Sequence, residues 1–170
     1  MNPTLAAWNE SGATEARDAM LACCGAKRWA DAMEALRPIE NVVALSEAAD
    51  RVWGTMQEVD WLEAFACHPR IGERQALAHA GARSSAWSRA EQSQTNAARE
   101  DVLAEIAEEN QRYEELFGFT YIVCATGKSA DEMLAILKRR LGSTREAELR
   151  EAAEQQRQIM QIRLGKWLIE

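Results

Sequence analysis

The feature that most constrains this chain is a repeated punctuation of helices. Three times a serine stands three residues ahead of a glutamate at the head of an apolar-periodic run: Ser88 with Glu91, Ser129 with Glu132, and Ser143 with Glu146. In that spacing the serine hydroxyl accepts from the backbone N–H three residues on, and the glutamate reaches back to the N–H of the serine. Each pair thus closes two of the donors that a helix start leaves open. The first two runs end at Gly118 and Gly142, the residue type that lets a chain leave a helix through a left-handed turn.

Apolar spacing elsewhere follows the same period. Residues 11–25 (SGATEARDAMLACCG) and 27–37 (KRWADAMEALR, stopped by Pro38) read as two helices joined by a tight turn. Residues 42–57 and 60–67 continue the pattern. The longest helix is expected over 87–118, with Val102, Leu103, Ile106, Tyr113, Leu116 and Phe117 on its apolar side; two more follow at 129–142 and 143–168. FTYIVCA (119–125) has the aromatic and β-branched content of a strand. With no second strand candidate to pair with it, an extended buried connector is expected instead. The polar, weakly periodic stretch 70–86 reads as an irregular connection, long enough to serve a site. The expected fold is all-α: a single domain over 1–170, a bundle of seven to eight helices.

Composition narrows the function. The 170 residues are 47% hydrophobic and 28% charged, enough for a sizeable core. No apolar run approaches the roughly 18 residues that cross a bilayer, and MNPTLAAWNE lacks the pattern of an export signal, so no membrane association is expected. The C-terminal KWLIE is not a peroxisomal tail, which points to the cytoplasm. A net charge of −7 weighs against a nucleic-acid partner; the KRR run at 138–140 fits the last turn of a helix, where cations meet the negative end of the dipole. Cys23, Cys24, Cys67 and Cys124 form no C-x-x-C and read as reduced thiols. Six tryptophans look like core and interface anchors, and the helices holding Trp8 or Trp167 are candidate faces for a homodimer.

Several chemistries lack their residues. His68 and His79 lie eleven positions apart with no conventional ligand spacing, so no metal is expected. There is no G-x-S-x-G elbow and no glycine-rich loop opening a helix to cradle phosphate. What remains is acid–base chemistry by imidazole and carboxylate, without a cofactor. FACHPRIGE (65–73) supplies the imidazole. Pro69 disfavours helical backbone at His68, so His68 closes a short helix with its main chain restricted. An imidazole holds or releases a proton near neutrality, and a carboxylate such as Glu91 would orient it. Each residue also has an ordinary reading: His68 as a hydrogen-bonded structural residue, Ser88 and Glu91 as a helix cap, Arg163 as a solvated charge, and FTYIVCA as plain core.

Taken in order, FACHPRIGE, WSRAEQ, NQRYEELFGFTYIVCATGKS and LKRRLGSTREAELREAAEQQRQIMQIRL resemble the 2-oxo-4-hydroxy-4-carboxy-5-ureidoimidazoline (OHCU) decarboxylase family of urate degradation, over roughly residues 60–165. The resemblance implies an all-α, cofactor-independent enzyme acting on a small-molecule substrate, OHCU, with a homodimer plausible. It implies that His68 is the catalytic proton donor and that Pro69 lies at the pocket wall. Ser88, Glu91 and Gln92 match the polar set that meets the bound ring, with Glu91 either holding the His68 ring or contacting the substrate hydroxyl. Tyr121, Ile122, Val123, Cys124 and Ala125 match the segment whose backbone hydrogen-bonds the ligand, and Arg163 matches an arginine that holds the anionic substrate. Tyr121 stands where phenylalanine is frequent, so its hydroxyl is expected in the pocket or in solvent. Two rival readings are a helical binding module that kept only the fold, and a hydrolase acting on a ureido compound.

Overall fold

The computed structural model describes residues 2–70 and 100–170. Among them are eight helices and no strand: α1 Pro3–Glu10, α2 Ala13–Cys24, α3 Lys27–Ala35, α4 Val42–Trp53, α5 Glu58–Ala66, α6 Glu100–Phe117, α7 Ala130–Arg140 and α8 Arg145–Trp167. The all-α expectation holds. The chain forms two compact units, one of Met1–Ala64 with Arg157–Glu170 and one of Phe65–Gln156.

In the first unit α1 is an addition to the helices expected. Its start is nevertheless written in the sequence: the Asn2 side chain accepts from the Leu5 N–H at 3.1 Å, and Pro3 sits in the first turn, where its missing N–H costs nothing. Helix α2 ends at Gly25, whose φ of 89° is the left-handed conformation that a side chain would resist. Asn41 caps α4 by accepting from the Ala44 N–H at 2.9 Å. That helix stops at Trp53, short of the expected 57, because the chain turns at Gly54 and Thr55. Asp60 organises the entry to α5, accepting from the Gln57 N–H at 2.8 Å and from Arg28 at 3.0 Å.

Helix α2 packs on α1 and α3, and α3 on α4. Between them Met20, Trp29 and Met33 have no exposed surface. The Trp29 indole donates to the Ala49 carbonyl at 3.1 Å, so its burial leaves no polar atom unmatched. Trp8 and Trp167 meet edge to face at 6.1 Å, and the Trp8 indole donates to the Ala16 carbonyl. These two rings, at 4% and 3% exposure, are spent on the core and leave no indole face for a partner.

In the second unit α6 buries Val102, Ile106, Tyr113 and Phe117. Leu116, expected on the same side, is 55% exposed; it lies about 100° around the helix from Phe117. Gly118 ends α6 with φ 79°, its N–H returning to the Glu114 carbonyl at 2.8 Å. Helix α7 begins with the complete reciprocal cap: Ser129 Oγ accepts from the Glu132 N–H at 3.2 Å, and Glu132 Oε2 accepts from the Ser129 N–H at 2.6 Å. The third expected pair, Ser143 with Glu146, is corrected. The Ser143 N–H is used in the turn after α7, bonding the Arg140 carbonyl, and Thr144 caps α8 one position later by accepting from the Ala147 N–H at 3.3 Å. The first pair, Ser88 with Glu91, and the connection expected over 71–86 lie outside the described residues.

The KRR run does occupy the last turn of α7, and its final member, Arg140, does more than face the helix dipole. It is 4% exposed and sits at the centre of a polar network. Its Nε donates to Glu148 Oε2 at 2.7 Å, its Nη1 to the Ile122 carbonyl at 2.7 Å and its Nη2 to the Tyr113 hydroxyl at 3.3 Å. Tyr113 in turn donates to Glu148 Oε2 at 2.7 Å. A charge this deep is tolerable only with such matched partners. Their arrangement ties α6, α7 and α8 to the connector after Gly118.

Candidate active site

His68 stands just past the end of α5, as the Pro69 rule predicts. Its N–H bonds the Phe65 carbonyl at 3.1 Å, completing the final turn, and the Phe65 ring packs on Phe119 at 5.6 Å. Two residues on, Arg70 grips Glu114 of α6 with both ends of its guanidinium, Nε to Oε1 at 2.7 Å and Nη2 to Oε2. The turn that carries the histidine is therefore pinned on either side, by an aromatic contact before it and a forked ion pair after it.

The imidazole itself is half-buried and has a defined partner. Its Nε2 lies 2.6 Å from Oε1 of Gln156, a side chain on α8 with no exposed surface. An amide oxygen only accepts, so in this arrangement Nε2 carries the hydrogen. The adjacent Gln155 accepts through its Oε1 from the Cys124 N–H at 2.8 Å and donates to Glu151 at 3.0 Å. Consecutive residues on a helix point about 100° apart. One turn of α8 thus holds the histidine ring on one side and the connector backbone on the next.

Residues 121–125 belong to neither helix nor strand, and Tyr121, Ile122, Val123, Cys124 and Ala125 are all buried. Three of its backbone groups are engaged by side chains within the unit: the Ile122 carbonyl by Arg140, the Cys124 N–H by Gln155, and the Cys124 carbonyl by Lys128 Nζ at 2.8 Å. The segment is held at fixed points by long polar side chains rather than by a sheet. The Tyr121 hydroxyl does not reach solvent. It donates to the Met133 carbonyl at 3.3 Å, with the Arg140 guanidinium 4.9 Å from its ring. Burial pushes the phenols of Tyr113 and Tyr121 well above the usual range, so both remain neutral at ordinary pH.

Within one unit, adjacent residues of α8 therefore reach His68, through Gln156, and the backbone of Cys124, through Gln155. Arg163 belongs to the other unit; it is 1% exposed, which removes its reading as a solvated charge. Ser88, Glu91 and Gln92 lie outside the described residues. Among the described residues no three His, Cys, Asp or Glu side chains gather where they would hold a metal ion, no helix is long and apolar enough to cross a membrane, and the four cysteines are free thiols.

Sequence reasoning missed Gln155, Gln156, Arg140 and Glu148. A signal existed for Gln156. On α8 the buried positions Leu149, Ala152, Ala153, Gln156, Ile159, Met160, Arg163, Leu164 and Trp167 recur at helical spacing. Gln156 and Arg163, seven apart, are with the buried Glu148 the polar members of a stripe whose other residues are apolar. A polar residue at such a position demands a partner.

Comparison with known proteins agrees with the sequence resemblance. Residues 9–165 match the family described as OHCU decarboxylase. The uric acid degradation bifunctional protein TTL of Arabidopsis thaliana is 35% identical over 146 residues, covering 85% of this chain and 44% of that protein. The 2-oxo-4-hydroxy-4-carboxy-5-ureidoimidazoline decarboxylase of Amia calva is 34% identical over 100 residues, covering 58% of this chain and 55% of that protein. The chain thus spans about half the length of these two relatives. A crystal structure of OHCU decarboxylase in the presence of (S)-allantoin superposes with a TM-score of 0.77 at 32% identity, covering 90% of this chain and 99% of that one. With a family match running through nearly its whole length, this chain belongs to the OHCU decarboxylase family.

Proposed function

We propose that this protein decarboxylates OHCU to (S)-allantoin and CO2 without a cofactor, with His68 as the proton donor. The observation that carries the reading is the family match over residues 9–165 together with a histidine held in one orientation by a fully buried glutamine. When the C–C bond to the carboxylate breaks, its electron pair stays on the ring carbon, delocalised into the adjacent imine and carbonyl. The substrate supplies its own electron sink, so the protein's part is to position it and to match the developing charge. The pair then takes a proton from His68 on one face, which sets the configuration of the product.

In this reading Pro69 lies at the pocket wall, while Ser88, Glu91 and Gln92 contact the ring and its ureido or carboxylate groups. Glu91 either orients the imidazole or holds the substrate hydroxyl. The backbone of Tyr121, Ile122, Val123, Cys124 and Ala125 borders the ligand, and Arg163 offsets the negative charge of the substrate. That the family match crosses both compact units supports treating 1–170 as a single catalytic domain. A cytoplasmic enzyme that pairs as a homodimer completes the proposal.

The test is a coupled reaction in which urate, urate oxidase and hydroxyisourate hydrolase generate OHCU in the cuvette. Adding this protein is expected to give a rapid rise in optical activity as (S)-allantoin forms, above the slow racemic background. Release of ammonia or urea in place of CO2 would favour a ureido hydrolase, and no change over background would favour a binding module.

A further inference from the structure

We propose that Gln156 is a positioning residue for the reaction: it holds His68 as the Nε2–H tautomer and so makes Nδ1 the nitrogen that hands the proton to substrate. The inference rests on the reading of His68 as proton donor and adds to it which ring atom acts and what selects that atom.

The geometry leaves little choice at Nε2. An amide oxygen 2.6 Å away has lone pairs and no hydrogen to give, so Nε2 must carry one. A neutral imidazole has a single N–H, which makes Nδ1 the basic nitrogen. On protonation Nδ1 gains the second hydrogen. In turnover the Nδ1–H bond breaks, a C–H bond forms with the electron pair that departing CO2 leaves on the ring carbon, and Nδ1 recovers its proton from water.

Gln156 suits this role in two ways. It has no exposed surface and sits on the buried face of its helix, with Ala152 and Ala153 one turn before it and Ile159 and Met160 one turn after. It is also uncharged. A carboxylate in its place would orient the ring equally well, but would hold the imidazolium against giving up its proton.

The chain has only two histidines, so His79→Asn leaves His68 as the sole imidazole and makes its ring nitrogens directly assignable by long-range 1H–15N NMR. The expected spectrum of that parent, above the titration of the ring, is the Nε2–H tautomer. Adding Gln156→Leu is expected to shift the ring toward Nδ1–H, and to lower kcat by about tenfold to a hundredfold with little change in KM. Gln156→Glu, which keeps an acceptor oxygen in place, is expected to retain the Nε2–H form. An Nδ1–H tautomer in the parent overturns the proposal even if Gln156→Leu fails to fold, and so does a tautomer that Gln156→Leu leaves unmoved. Failure of the unsubstituted protein to form (S)-allantoin overturns instead the reading of His68 as proton donor, and with it the assignment of Nδ1, while the spectra report on Gln156 alone.

Discussion

The unit of residues 1–64 with 157–170 is filled by Met20, Trp29, Met33 and Leu45, and its buried charges among the described residues are Asp60 and Arg163. The unit from Phe65 to Gln156 buries Asn110, Arg140, Glu148 and Gln156 beside its aromatic side chains. Polar atoms inside a protein cost stability unless every one is matched. The second unit carries that cost where it holds a histidine ring and an irregular backbone segment in place, which apolar packing alone does not aim. The first unit, where the need is to fill space between helices, does it with indoles and thioethers.

That contrast is breakable. The largest expected effect is on activity: His68→Ala should lose roughly 10²–10⁴ in the rate of (S)-allantoin formation while the helical circular dichroism stays native. Near-normal turnover in the folded variant would remove His68 from the mechanism. Next come the two cores. Glu148→Ala leaves the Arg140 guanidinium buried beside a hole, and urea denaturation should register a loss of about 3–5 kcal/mol. Trp29→Ala in the other unit should cost a similar amount, about 3–5 kcal/mol, by opening a cavity. The two losses differ in how they are repaired. The double variant Arg140→Met with Glu148→Leu should recover most of the stability, since no uncompensated charge remains; additive losses in that variant would contradict the electrostatic account.

A smaller effect separates structure from chemistry in the connector. Tyr121→Phe removes a long hydrogen bond to the Met133 carbonyl and should cost about 0.5–1.5 kcal/mol or less, with turnover near that of the parent. A large fall in turnover would instead put the hydroxyl in contact with substrate. The smallest effect lies on the surface. The Ser129 backbone N–H, followed by its hydroxyl, holds the Glu132 carboxyl below its usual range. A carboxyl whose pKa is lowered by folding adds stability that is complete above its unfolded value and disappears as pH falls through its folded value. Glu132→Gln, which removes the titrating group, should therefore lower the urea midpoint at neutral pH and flatten its decline on acidification, and an unchanged acid slope would show that the cap is not coupled to that titration.

How much of this was legible in the sequence depended on how far apart the interacting residues stand. Local features were readable because their partners are close: Ser129 with Glu132, the glycine stops at Gly25 and Gly118, and Pro69 after His68. The choice of Thr144 over Ser143 was not, because it depends on where the turn from α7 spends its N–H groups. Arg140 and Gln156 look like solvated residues until their partners arrive. Arg140 finds Tyr113 and Ile122 at separations of 27 and 18 positions, and Gln156 finds His68 at 88. Tertiary contact at that range leaves only an indirect trace, a polar residue on an otherwise apolar helical stripe. Tyr121 shows the converse, since a hydroxyl that sequence comparison places in a pocket or in solvent is taken up by a backbone carbonyl twelve residues on.

The central claim is that His68 delivers a proton to the ring carbon that loses CO2. A crystal structure of this chain with (S)-allantoin bound tests it most directly. The account predicts the product in a pocket bordered by residues 121–125, with a His68 ring nitrogen within about 3–3.5 Å of the stereogenic carbon and Glu91 and Arg163 also in contact with the ligand. Allantoin bound elsewhere, or His68, Glu91 and Arg163 each facing a different part of the molecule, would contradict it.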